Sequence, residues 1–201
     1  RGRVQFAGNT VADQIDVNAI GISASGGASV QSNVVRGNGV GIDATGGFVL
    51  GNRVYANRVT GIRADGADVL ENVVYSQPVG IEIEGDGVTL RNNLVYDSDT
   101  VGVNVVGGNG IVVVNNTLFE IAADTLRIAA DAANVQVRNS IFWAENGTAI
   151  LVSPGGETGF ESNNNVFFRG LLGAGRIGAW GGASQTTLTD WRNATGTDTD
   201  S

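Results

Sequence analysis

The sequence predicts an all-β fold, a single-stranded parallel solenoid of about eight coils, from three observations. Asparagine recurs at Asn9, Asn33, Asn52, Asn72, Asn93, Asn116, Asn139 and Asn164, each two residues before an aliphatic side chain, at spacings of 24, 19, 20, 21, 23, 23 and 25 residues. A period of that length builds one solenoid turn rather than one independent domain. Alternating apolar pairs follow each repeat's polar turn: Ile22/Ala24, Ile42/Ala44, Ile62/Ala64, Ile81/Ile83, Val103/Val105, Leu126/Ile128, Ile150/Val152 and Ile177/Ala179. A period of two with one apolar face describes short, half-buried strands. Equivalent residues also return without reversal from unit to unit, so the strands stack in parallel, about 4.8 Å apart.

Within a coil, the asparagines fit a tight turn, because asparagine tolerates the left-handed region and its amide can bond backbone and the next amide above it. They should form a ladder. Two residues on, Val35, Val54, Val74, Val95, Leu118, Ile141 and Val166 should stack as one interior column. The next position carries Tyr55, Tyr75, Tyr96, Phe119, Phe142 and Phe167, expected outside or at a corner. Gly21, Gly41, Gly61, Gly80 and Gly102 precede the following strand where a bend would exclude a Cβ. Asp124-Thr125 and Thr148-Ala149 depart from that glycine, which loosens coil length but keeps the architecture.

From Leu171 the pattern changes to a glycine-rich stretch, and Thr187 or Thr189 can cap a single helical turn carrying Leu188 and Trp191 on one side. The expected organisation is therefore coils over 1–179, and a cap or linker over 180–201 that continues into a larger parent protein. An open coil end needs covering, so Trp180 and Trp191 read as cap residues, with sugar-stacking platforms as the alternative.

The segments NVVRGNGVGI from Asn33, NRVYANRVTGI from Asn52, NVVYSQPVGI from Asn72 and NLVYDSDTVGV from Asn93 carry a specific resemblance. The unit resembles that of the right-handed parallel β-helix superfamily, which includes pectate-lyase-like enzymes, C5-epimerases and carbohydrate-binding and sugar-hydrolase domains. It covers the chain from about Val4 to Ala179. The resemblance implies right-handed winding, a secreted or cell-surface bacterial setting, and a polysaccharide or neighbouring domains as partners. Lyases and epimerases of that superfamily usually carry His, Lys or a fixed Asp-Arg constellation, and none of these can be placed here residue by residue.

Composition narrows the function classes. With 42% apolar residues and no run near 18 residues, membrane insertion is not expected. No charged segment followed by an apolar stretch opens the chain, so no signal peptide is visible; the lack of Met and a start in mid-pattern read as a piece of a longer polypeptide. Cysteine is absent, so disulfides say nothing of compartment. The 12 basic residues are all Arg against 20 acidic ones, and a net charge of −8 without basic clustering argues against nucleic acid or an anionic membrane.

Two groups of residues carry candidate chemistry. Residues alternating with the buried set should form outward columns, Ser23, Asp43, Arg63, Glu82, Asn104, Arg127 and, two residues on, Ser25, Thr45, Asp65, Glu84. Asp43, Asp65, Glu82 and Glu84 thus converge around Arg63. Such a cluster can pair charges across strands. It can also supply the acid and the base or nucleophile of glycoside hydrolysis, with Asp65 and Glu84 near the retaining separation and Asp43 and Glu82 nearer the inverting one. A lyase using Arg63 as base or clamp, with acids holding Ca²⁺, is a further option. Without His the usual near-neutral acid–base group is missing. The second group is Tyr55, Tyr75 and Tyr96, which suits coil stacking, glycan binding or contact with another domain. The pairs Asp97/Asp99 and Asp198/Asp200 could bind Ca²⁺ but lack a glycine-spaced loop. The expectation is a structural or carbohydrate-binding module without catalysis, with a polysaccharide hydrolase or lyase as the alternative.

Overall fold

The computed structural model describes residues 4–170 and 174–201; Leu171, where the tail begins in the sequence, lies outside them. Each coil lays one short strand on each of three faces. The first face is an eight-stranded parallel sheet running from Gln5–Ala7 through Phe48–Leu50 and Thr89–Arg91 to Glu161–Asn163. The second starts at Thr10–Ala12 and continues through Val34–Arg36, Arg53–Tyr55, Thr117–Glu120 and Ile141–Ala144 to Val166–Arg169. The third runs from Ile20–Ala24 through Val40–Thr45 and Thr60–Asp65 to Arg176–Trp180. In the middle coils a single bent strand, Val73–Glu84 or Leu94–Asn109, serves both second and third faces, which joins them into one sheet. All eight apolar pairs of the third face point into the core.

Between the first and second faces runs the amide ladder. The backbone N–H and side-chain amide of Asn33 both donate to Asn52 Oδ1, at 2.9 and 3.0 Å, and the same pair of bonds repeats from Asn52 to Asn72, Asn72 to Asn93 and Asn93 to Asn116. Each amide also donates to a core-strand carbonyl, as Asn72 does to Val49 O at 2.9 Å. The left-handed residue is the one before each rung: Ser32, Glu71, Asn92 and Asn115 all have φ between 53° and 58°. The rung itself is not left-handed.

Toward the end the sequence repeat and the structural repeat slip by one residue. Asn139 and Asn164 are the left-handed turn residues, at φ 51° and 57°, and the rungs are Ser140 and Asn165. Asn116 N–H donates to Ser140 Oγ at 3.2 Å and Ser140 N–H to Asn165 Oδ1 at 2.9 Å. The strand phase slips with it. Ile141 and Val166, expected inside, are 43% and 59% exposed, and Phe142 takes the interior place with Phe167 stacked on it at 5.6 Å. A one-residue shift exchanges the faces of a strand.

The repeated glycines are also explained differently. Gly41, Gly61 and Gly80 lie inside strands, where a Cβ on Gly61 would sit 2.6 Å from Gly80 O and 2.7 Å from Gln77 Nε2. Close approach of the coil above excludes the side chain, with no bend required.

A second polar stack lines the corner between second and third faces: Asn38, Asn57, Gln77, Ser98 and Glu120, all buried. Asn38 N–H donates to Asn57 Oδ1 at 3.1 Å and Ser98 N–H to Glu120 Oε2 at 2.6 Å. Unlike the main ladder it is incompletely satisfied, with Asn38 Oδ1, Asn57 Nδ2, Ser98 Oγ and Glu120 Oε1 lacking partners. Burial pushes the Glu120 carboxyl from 4.5 up to about 7, against the pull of the hydrogen bond from Ser98 N–H and with Asp97 and Asp99 adding to the rise. Because the folded pKa is raised, the native state holds the extra proton between pH 4.5 and 7, and stability falls as pH climbs through that window. Wild type should lose about 2–3 kcal/mol between pH 4.5 and 7.5 relative to Glu120→Gln. Urea unfolding at several pH values measures this, and parallel pH profiles for the two proteins would refute it.

The C-terminal segment closes the core. Arg176–Trp180 pairs with Thr148–Val152, an antiparallel strand Ala183–Gln185 folds back on it, and helix α1 (Leu188–Thr195) follows. Thr187, rather than Thr189, is the cap: its hydroxyl accepts from Asp190 N–H at 3.1 Å while Asp190 accepts from Thr187 N–H at 3.2 Å. The Thr187 hydroxyl, which donates to Asp190 Oδ2 at 2.7 Å, and then the Thr187 N–H hold the Asp190 carboxyl below its usual range. Trp191 is fully buried against Phe160, Trp180 and Gly178, so its indole covers the last coil and offers no ring to solvent. Its Nε1 donates to Asp198 Oδ2 at 2.7 Å; Asp198 is buried too and accepts from Asn165 and Ser201, which ends the ladder.

Candidate functional site

The third face holds the carboxylate cluster in the column order read from the sequence. Asp43, Arg63, Glu82, Asn104 and Arg127 are successive register partners, and Thr45, Asp65 and Glu84 form the column beside them. Arg63 bridges two coils, its Nε 3.2 Å from Glu82 Oε1 and its Nη1 3.7 Å from Asp43 Oδ2. The three are only partly exposed, so this is a modest surface pairing worth about 0–1 kcal/mol. Asp65 and Glu84 pair in register as neighbouring like charges and make no side-chain hydrogen bond or ion pair among the described residues. Two free carboxylates on adjacent rungs have the residue types of an acid and base pair. Further along, Arg127 is paired with Asp124 at 2.9 Å.

No group of three or more His, Cys, Asp or Glu is placed to hold a metal ion among the described residues. Asp97 accepts from Ser76 Oγ at 2.7 Å, Asp200 from Asn163 Nδ2 at 2.9 Å and Asp198 from Asn165 Nδ2 at 3.0 Å, so these three acids are engaged with neighbouring coils.

On the second face, two outward columns run the length of the solenoid. One reads Thr10, Val34, Arg53, Val73, Leu94, Thr117, Ile141, Val166. Its neighbour reads Ala12, Arg36, Tyr55, Tyr75, Tyr96, Phe119, Trp143, Phe168. Neither contains a carboxylate, in a chain that carries 20. Tyr55, Tyr75 and Tyr96 stack face to face with centroids 4.9 Å apart and planes within 4°. Arg53 lies over Tyr55 at 5.1 Å and donates to Tyr75 Oη at 2.6 Å. Both ring faces of Tyr75 and the facing sides of Tyr55 and Tyr96 are thereby occupied within the stack. Phe142 and Phe167, placed in this column by the sequence repeat, are replaced by Trp143 and Phe168 because of the one-residue slip. The register of hydrogen-bonded strands was needed to find them, because the doublet Asn164-Asn165 has the same form as Asn92-Asn93 and Asn115-Asn116, where the second asparagine is the rung.

Residues 38–190 match the family described as "Right handed beta helix region". The chain belongs to the right-handed β-helix family. Among solved structures this β-helix is similar to the A-module of Azotobacter vinelandii mannuronan C-5 epimerase AlgE4, with a TM-score of 0.69 and 14% identity over 87% of this chain and 56% of that one. The A-module of mannuronan C-5 epimerase AlgE6 from the same organism gives 0.62 and 16% over 81% and 53%. At such identities the likeness speaks for the fold. The β-helix spans about half the length of either module. A comparison with curated proteins gave no match. No helix is long and apolar enough to cross a membrane among the described residues.

Proposed function

We propose that this β-helix is a non-catalytic, polysaccharide-binding module of a larger secreted or cell-surface bacterial protein. The observation that carries the reading is the second face: two continuous outward columns, rich in aromatic and aliphatic side chains and free of carboxylate, on an otherwise acidic molecule. Sugars present apolar C–H faces and lateral hydroxyls, and a row of rings with phenol edges meets both needs. Tyr55, Tyr75 and Tyr96 contribute ring edges and the hydroxyls of Tyr55 and Tyr96, while Tyr75 Oη is held by Arg53.

A second reading, a polysaccharide hydrolase or, less directly, a lyase, is favoured by one observation, the unpartnered Asp65 and Glu84 on adjacent rungs. The two readings separate in one assay. As a binding module, the protein releases neither reducing ends nor unsaturated products from acidic, neutral or aminated polysaccharides, yet is retained by one of them in affinity electrophoresis. Turnover that disappears in Asp65→Asn or Glu84→Gln with folding intact would establish the enzyme instead.

A further inference from the structure

Beyond the tyrosine stack, the second face has a different aromatic station. Trp143 is 39% exposed, and it is the one aromatic among the large hydrophobic side chains that stand exposed in the described residues. Its neighbours do not pack flat against it. Phe119 meets it edge-on at 84° with centroids 5.3 Å apart, and Phe168 is tilted by 50° at 4.2 Å. The indole therefore leaves the stacked geometry of Tyr55, Tyr75 and Tyr96. Its Nε1 donates to Glu145 Oε2 at 3.0 Å, which fixes the ring, and the second carboxylate oxygen, beside Gly170, has no hydrogen-bond donor among the described residues.

The shape of this face selects the ligand class. Strands of three residues make a strip roughly 10 Å wide, and seven rung steps make it about 34 Å long, or about 340 Å². A stable protein interface buries about 800 Å² on each partner, so a second globular copy would be poorly held here. An extended peptide also fits badly, because the backbone donors and acceptors of the strip are already consumed by the coils above and below. A linear glycan lying along the axis needs no backbone partners. The rung spacing of about 4.8 Å is close to the length of one extended pyranose unit, so successive sugars can meet successive rungs.

We propose that Trp143 is the platform on which one pyranose ring of a linear polysaccharide stacks, with Phe119 and Phe168 bordering it and the free oxygen of Glu145 accepting a sugar hydroxyl. The proposal rests on the reading of the protein as a polysaccharide-binding module, and the test distinguishes the two. Wild type is titrated with hexasaccharides of cellulose, chitosan, galacturonan and mannuronan, following tryptophan fluorescence and calorimetry. The expected result is saturable binding of at least one of them, weakened about tenfold or more in Trp143→Ala and less in Trp143→Phe. In wild type, the bound hexasaccharide should also shield Trp143 from oxidation by N-bromosuccinimide, read by mass spectrometry with buried Trp191 as internal control. This second measurement holds even where the variant folds poorly. Binding that persists in Trp143→Ala, or that leaves Trp143 as reactive as in the free protein, overturns the Trp143 platform and leaves the module reading standing. Absence of binding to every glycan overturns both.

Discussion

Trp191→Ala is expected to destabilise the protein by about 4 kcal/mol, with the loss starting at the C-terminal end of the solenoid. The indole is fully buried and lies against Phe160, Trp180 and the Cα of Gly178, so its removal opens a cavity over the last coil that helix α1 is too short to refill. Truncation of a buried tryptophan costs about 3–5 kcal/mol. The substitution also takes a donor from Asp198, a buried carboxylate that would keep only Asn165 and Ser201 as side-chain donors. Coils that contact only their neighbours unravel from an end. Hydrogen exchange should therefore accelerate over residues 160–170 and 174–180 while the strands around Val35 and Val54 remain protected. Unchanged denaturant midpoints, or uniform loss along the chain, would show that the tail is not the cap.

Asn72→Ala should cost a similar amount, about 4 kcal/mol, while Asn9→Ala costs under about 1 kcal/mol. The Asn72 amide donates to Val49 O, Leu70 O and Asn93 Oδ1, and its carbonyl accepts both the backbone and side-chain N–H of Asn52. Alanine leaves several of these groups buried and unpaired, at about 1–3 kcal/mol each before relaxation. Asn9 is exposed, and among the described residues its side chain makes two donor bonds, to Ala7 O and Asn33 Oδ1. Its loss is repaired by water. Asn93→Ala should behave as Asn72→Ala does, and chemical denaturation of the three variants decides the matter. Equal small losses at all three positions would mean that the ladder follows from coil packing and contributes nothing of its own.

The ladder also shows where the sequence could be read and where it could not. From Asn33 to Asn116 the rung and the aliphatic core residue keep a fixed offset, and from Asn52 on the aromatic residue does too, so counting from the asparagine finds each one. At Asn139 and Asn164 the left-handed turn residue is itself asparagine, chosen for the same tolerance of positive φ, and it imitates the rung beside it. The hydrogen bonds from Asn116 to Ser140 and from Ser140 to Asn165 reveal that serine has taken the amide's place. The candidate site suffered accordingly. The Asp43, Arg63 and Glu82 column lies on strands where alternation is strict, and was legible. Trp143 lies past the slip, on a strand whose apolar residues Ile141 and Phe142 offered two equally plausible inward phases.

What the sequence determined by itself is the solenoid: a repeated spacing and a period of two specify parallel coils, because identical units without reversal can bury their apolar face only against their own copies. What the tertiary structure decided is which atoms fill each level of the stack. Whether a glycine serves a bend or a close approach, whether three tyrosines turn their faces to solvent or to one another, and whether a glutamate at a strand end points outward or takes the buried place of an amide as Glu120 does, all depend on the coil above and the coil below. Those neighbours are some twenty residues away along the chain, and each of these choices depends on exact register between coils, which the repeat's variable length of 19 to 25 residues leaves open.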